Sequence, residues 1–137
     1  MGPDGKLWFA EAGGDRIVRR EGDGSMSEFP VPTPNSGPAF MATGPDGALW
    51  FTEGRASQIG RVRIDGVITE SNLAHPLSGP AMICRGPNQD LWFSEYQGSR
   101  LGHIMFPTPV PDLSRYAGYG LIALLATAGA VLGGSRR

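Results

Sequence analysis

The sequence predicts an all-β fold, a partial β-propeller of about three four-stranded antiparallel blades, followed by one C-terminal transmembrane α-helix. Three observations predict it. A ten-residue block recurs three times at a spacing of 42 residues. Each unit divides into four short strand-like runs separated by turn residues. One long run near the C-terminus carries no charge.

The block is Gly2-Pro-Asp-Gly-Lys-Leu-Trp-Phe-Ala-Glu11, then Gly44-Pro-Asp-Gly-Ala-Leu-Trp-Phe-Thr-Glu53, then Gly86-Pro-Asn-Gln-Asp-Leu-Trp-Phe-Ser-Glu95. A second element keeps the register: Arg16-Ile-Val-Arg-Arg20, Gln58-Ile-Gly-Arg-Val62 and Arg100-Leu-Gly-His-Ile104. Ser36-Gly37-Pro38 answers Ser78-Gly79-Pro80. In the middle unit the runs are Ala39 to Thr43, Leu49 to Glu53, Gln58 to Ile64 and Val67 to Ser71. Pro45 presets φ in the first turn, and Asp46-Gly47 and Asp65-Gly66 supply the left-handed positions of tight hairpins. Four strands in about 42 residues is the size of one propeller blade. Trp8, Trp50 and Trp92 fall at one equivalent position, which predicts that they pack blade on blade. No stretch before residue 113 holds an apolar period of 3.6 over two turns, so no helix is placed there.

Composition narrows the function. Twelve basic and thirteen acidic residues leave a formal charge of -1, so the chain has no basic footprint for nucleic acid. The single Cys84 has no partner for a disulfide or for zinc and reads as a small buried apolar residue. The first block begins at Gly2, inside a turn motif, so blade one is expected to lack its first strand. Blade three is expected to end after Leu101 to Met105, without its fourth. Closed propellers have about four to eight blades, so the chain reads as a fragment, with further blades or self-association completing the ring.

The blocks, together with Ile-Gly-Arg-Val62 and Glu28-Phe-Pro-Val-Pro-Thr-Pro-Asn-Ser-Gly-Pro38, resemble the virginiamycin B lyase (streptogramin lyase) family over residues 2 to about 106. The resemblance implies a seven-bladed propeller that opens a cyclic depsipeptide antibiotic by elimination, using Mg²⁺ and a His base. A metal on the carbonyl stabilises the developing enolate while the His removes the α-proton. In that family the strand before the turn opens Glu-Pro-His-Gly, the Glu binding metal and the His acting as base. Here those positions read Gly37-Pro38-Ala39-Phe40 and Gly79-Pro80-Ala81-Met82. The family's second metal carboxylate falls at Glu53, Glu95 or Glu11, and these three are the metal candidates. His103 replaces Arg61 in the second element, and His75 lies in a loop with no acidic neighbour in sequence. The sequence therefore offers no catalytic residue and no cofactor-binding set. The expected function is a membrane-tethered, non-catalytic binding or scaffold module. The alternative is a streptogramin lyase whose catalytic blade lies outside this chain, and Mg²⁺ is expected only in that case.

The expected divisions are 1–106 for the repeats, 107–115 for a Pro-rich linker, 116–134 for the span and 135–137 for a basic tail. Tyr116 to Gly134 contains no charged residue. A helix of that length reaches about 28 Å, close to a hydrocarbon core. Tyr116 and Tyr119 at one end and Arg136 and Arg137 at the other suit the two interfaces. The order linker, span, Arg pair resembles bacterial surface-sorting tails, and positive-inside logic then sets the blades outside a bacterial membrane, whereas insertion as a tail anchor would leave them in the cytoplasm. This reading predicts that the full chain resists carbonate and requires detergent. Leu125→Arg, at a cost of roughly 2.5 to 3.5 kcal/mol at the centre of the span, should release it. Release of the unmodified chain by carbonate alone rules out the integral span.

Overall fold

The computed structural model describes residues 1–107 and 131–133. Its strands are β1 (Leu7–Glu11), β2 (Arg16–Arg20), β3 (Met26–Pro30), β4 (Pro38–Thr43), β5 (Leu49–Glu53), β6 (Gln58–Val62), β7 (Ile68–Asn72), β8 (Pro80–Arg85), β9 (Leu91–Glu95), β10 (Arg100–Met105) and β11 (Val131–Gly133). They form three antiparallel sheets, ordered β1-β2-β3, β4-β5-β6-β7 and β8-β9-β10-β11. The first sheet lacks the inner strand that β4 and β8 supply to the others, as the position of the first turn motif requires. Among the described residues the sole helical turn is a single 3-10 turn at Pro87–Gln89.

Each strand is too short to make a core alone, so burial comes from laying one sheet on the next. Between blades one and two lie Trp8 and Ile17 from one side and Leu49, Phe51 and Val62 from the other. One repeat further on, Trp50 and Ile59 meet Leu91, Phe93 and Ile104. Trp8 and Trp50 are buried as expected, whereas Trp92, on the far face of blade three, is only half-buried. Cys84 shares that far face and is exposed, which corrects its reading as a buried residue. The equivalent Ala42 packs into the second core because blade three covers it.

Two further expectations change. Blade three does not end at β10, because Val131–Gly133 adds antiparallel to it, with Ile104 opposite Leu132 and Met105 opposite Val131. Those three residues were expected in a helix. An outer strand leaves a row of unpaired N–H and C=O groups, and an apolar extended segment satisfies it. The remainder of the expected helix, 116–130 and Gly134, lies outside the described residues. A helix over 116–130 would reach about 22 Å, short of a roughly 30 Å core, so a full span and the β10–β11 ladder exclude one another. No helix among the described residues is long and apolar enough to cross a membrane.

Phe51 lies directly across the β5–β6 ladder from Gly60, and Phe93 across β9–β10 from Gly102. A Cβ at Gly60 would sit 2.1 Å from Phe51 Cζ, and one at Gly102 2.2 Å from Phe93 Cζ. The glycines therefore let the rings lie flat over the strand beneath the neighbouring blade. Phe51→Ala should cost about 3 to 5 kcal/mol in denaturant unfolding, and Gly60→Ala about 1 to 3 by overpacking. Because the two touch, the double variant should lose clearly less than the sum of the singles. Strict additivity would show that the contact does not matter.

Candidate functional site

The three candidate glutamates occupy one repeat position and three different environments. β1, β5 and β9 turn alternate side chains to opposite faces, so each glutamate faces the preceding blade. Blade one has no described predecessor, and Glu11 stays half-exposed, paired to Arg16 with Nε 2.6 Å from its carboxylate. Glu95 is buried by blade two, with Arg100 Nε 3.6 Å away. Glu53 is fully buried beneath blade one and has no cation partner among the described residues. Neither of its oxygens makes a hydrogen bond, and neither does the neighbouring buried Ser36 Oγ. Burial pushes its carboxyl up to about 7, and the negative charges of Glu70 and Asp15 nearby add to it.

Above Glu53 the loops open into a cleft of about 500 Å³, lined by Gly37, Arg55, Gly79, Ala81, Tyr96 and their neighbours. Asp15 shapes one side by accepting hydrogen bonds from the backbone N–H groups of Asn35 (2.6 Å) and Gly37 (3.1 Å). Arg55 donates from Nε to Asn35 O and from Nη2 to Ala12 O, each at 3.0 Å, and so straps blade two to blade one. The ladder shifts register between Pro38 and Met41 and again between Pro80 and Ile83. These bulges carry Ala39 and Ala81, the two places where the family resemblance asks for a His. The N–H groups freed there are caught by hydroxyls: Phe40 N donates to Thr52 Oγ1 and Met82 N to Ser94 Oγ, both at 3.2 Å. Thr52 and Ser94 were not singled out from the sequence. Their signal is the variable position of Trp-Phe-x-Glu, which is Thr or Ser in the two blades with an inner strand and Ala10 in the blade without one.

The two histidines stay apart from this cleft. His103 stacks on Trp92, with ring centroids 4.7 Å apart and planes 16° from parallel. That is the place taken by Arg19 over Trp8 and by Arg61 over Trp50. His75 is exposed, and its backbone carbonyl accepts a hydrogen bond from Ser78 Oγ. Mg²⁺ prefers near-octahedral oxygen coordination, including one or two carboxylates on a common site. Glu11, Glu53 and Glu95 belong to separate blades, and among the described residues no three His, Cys, Asp or Glu side chains converge on one point. The residues present do not fit the ion.

Successive sheets stacked face on face, each with an indole at one repeat position and with loops gathered over a cleft, define a propeller-type repeat protein. A family model described as virginiamycin B lyase family matches residues 1–113. The chain belongs to that family. It is similar to a streptogramin B lyase structure at 36% identity and a TM-score of 0.72, over 76% of this chain and 35% of that one. A catalytically inactive histidine-to-alanine virginiamycin B lyase from Staphylococcus aureus, solved with quinupristin, matches at 41% identity and a TM-score of 0.74. That match covers 79% of this chain and 40% of the other. The selenomethionine form of virginiamycin B lyase from Staphylococcus aureus matches at 36% identity and a TM-score of 0.74, over 81% and 40%. The chain thus spans two fifths or less of the length of these structures. No curated protein matches it.

Glu53 makes stability pH-dependent. Its folded pKa of about 7 lies above its ordinary value of 4.5, so the folded state holds a proton that the unfolded state has released. This contribution is fully present below about pH 4.5 and is lost as pH rises through 7; the loss amounts to about 3 kcal/mol. Glu53→Gln keeps the shape and removes the titration. The Tm difference, variant minus parent, should therefore grow in favour of the variant between pH 5 and pH 8. Parallel curves would show that Glu53 is not buried as described.

Proposed function

We infer that these blades are a non-catalytic binding or scaffold module of the virginiamycin B lyase family. The observation that carries this is the identity of four residues: Gly37, Ala39, Gly79 and Ala81 stand where the resemblance asks for the metal-binding Glu and the basic His. Elimination at a depsipeptide ester needs a base within reach of the α-proton and an electrophile on the carbonyl. Gly and Ala supply neither, and Arg55 is held by backbone carbonyls and by Asp15. What the loop end does offer is a concave surface with a small-residue floor and the exposed Tyr96 at its edge. Such a surface suits binding without turnover.

A second reading is favoured by the 36 to 41% identity to lyase structures. In it the chain contributes blades to a lyase whose Glu-Pro-His-Gly strand lies in another blade, and Mg²⁺ is bound there. Attachment to a bacterial membrane through residues 116–134, with the blades outside, is a separate part of the proposal. It rests on the charge-free run and the terminal Arg pair, and it requires the β10–β11 pairs to open.

Incubation of the purified chain with quinupristin and Mg²⁺ should leave the ring intact, as followed by mass and retention time. Mg²⁺-dependent linearisation that disappears in Glu53→Ala or Glu95→Ala would overturn the non-catalytic reading.

A further inference from the structure

The junction between blades one and two seats a carboxylate on backbone N–H groups. The junction between blades two and three repeats the backbone without the carboxylate. At the first, Asn35 and Gly37 take φ 57° and 68°, and their N–H groups converge on Asp15 at 2.6 and 3.1 Å. The Arg55 side chain lies across Gly37, with Nη2 3.6 Å from Asp15. The hydrogen bond from Gly37 N–H does most to hold the Asp15 carboxyl below its ordinary range; burial opposes it, and Asn35 and Arg55 reinforce it. Turn residues whose N–H groups face inward form a concavity that favours an anion.

One repeat on, Leu77 and Gly79 take φ 58° and 57°, so the loop has the same shape. Ser57 stands in the place of Asp15 and Gln97 in the place of Arg55, so both charges of the pair are replaced together. Ser57 is 8% exposed, and its shorter side chain meets the Gly79 N–H only at 3.4 Å. The Leu77 N–H has no partner among the described residues. A Cβ at Gly79 would lie 3.1 Å from Gln97 Cγ, as one at Gly37 would lie 3.0 Å from Arg55 Cζ, so the amide crosses this loop as the guanidinium crosses the other. The charge beneath the two junctions also differs. Glu53, near Asp15, has no cation, whereas its equivalent Glu95 has Arg100 Nε at 3.6 Å. An anion at the second junction therefore meets a carboxylate that is already partly neutralised.

We propose that Leu77, Gly79 and Ser57 bind the carboxylate of an organic acid, in the place that Asp15 fills at the preceding junction, with Gln97 donating from above. All four residues line the cleft, together with Arg55 and Tyr96. Tyr96 is 82% exposed and Leu77 78%, and the positions equivalent to Tyr96 are Ala12 and Gly54. The added ring sets an apolar or aromatic body on the acid. Capture of a carboxylate by backbone N–H groups is a recurrent mode of recognition. The assignment gives the ligand class of the binding surface inferred above and rests on that reading.

The full chain in mild detergent is titrated with phenylacetate and with neutral phenylacetamide, and the backbone amide resonances of Leu77 and Gly79 are followed. Phenylacetate should saturate the shifts about tenfold more tightly than the amide, because its hydrogen bonds are charge-assisted. Equal affinities, or shifts that never saturate, overturn the proposal. Ser57→Asp sets the chain's own carboxylate in the nest and should abolish binding. If that variant does not fold, the exposed position 97 decides: Gln97→Glu should weaken phenylacetate binding and Gln97→Arg should tighten it. Affinity indifferent to both charges overturns the proposal. Tyr96→Ala should lower the affinity for phenylacetate to that for acetate. Loss of the carboxylate preference leaves the non-catalytic reading standing, and linearisation of quinupristin overturns that reading while the carboxylate site stands.

Discussion

Everything in this molecule depends on the burial of one sheet face against the next. Strands of three to six residues in three- or four-stranded sheets cannot enclose a core of their own. The Trp–Ile stripe of one blade and the Leu–Phe stripe of its successor remove each other from water, at roughly 25 cal/mol per Å² of apolar surface. That single contact sets the repeat length and fixes which residues alternate inward. It also explains why identical positions behave differently: a residue's environment is decided by whether its blade has a neighbour on that side. Glu11, Glu53 and Glu95 are the clearest case. They share a strand position and a local sequence, yet one is half-exposed and ion-paired, one is buried beside an Arg, and one is buried without a cation.

The indole position shows how such a repeat tolerates drift. In blades one and two the indole N–H donates to an aspartate of its own turn, Trp8 to Asp4 at 2.9 Å and Trp50 to Asp46 at 3.1 Å, and an arginine lies over the ring. Asp46 is held below the ordinary carboxylate range: burial works against its charge, but hydrogen bonds from Arg61, Trp50 and Ala48 outweigh it. The third repeat loses both halves of this arrangement together. Asn88 replaces the aspartate and adopts φ 57°, the Trp92 N–H has no partner among the described residues, and His103 stacks where the arginine would lie. An anion, a ring and a cation form one unit, and removing the anion removes the reason for a permanent cation.

Much of this was legible in the sequence because the repeat is exact in length. The 42-residue spacing located every blade, the missing inner strand of blade one, and strand limits to within one or two residues. The family and the absence of its Glu and His from Gly37, Ala39, Gly79 and Ala81 were legible on the same footing, since they are matters of aligned identity. What could not be read was anything set by a neighbour's presence. Cys84 reads as a buried residue because an unpaired cysteine behaves as a small apolar side chain; its place on the far face of blade three exposes it. The strand at Val131–Gly133 was hidden because its residues suit an apolar helix equally well, and the choice is made by an edge of β10 distant in sequence. Glu53 was named as a metal candidate from its motif, while its lack of any cation follows from which loops the fold lays over it.

The bulges at Ala39 and Ala81 bear on how function and fold separate in this family. The register shift is retained in both blades, and each freed N–H is held by the Thr52 or Ser94 hydroxyl. A bulge re-aims the side chains around it, and bulges recur beside sites for that reason. In this chain both bulges carry a methyl side chain, at Ala39 and Ala81. The residue identities at Gly37, Ala39, Gly79 and Ala81 are decoupled from the interblade contacts, because none of the four contributes to the two apolar cores. Blades of this kind can therefore keep the architecture and the cleft while the reaction is gained, lost or confined to one blade, which is why the activity has to be argued from residues at the site and not from the repeat.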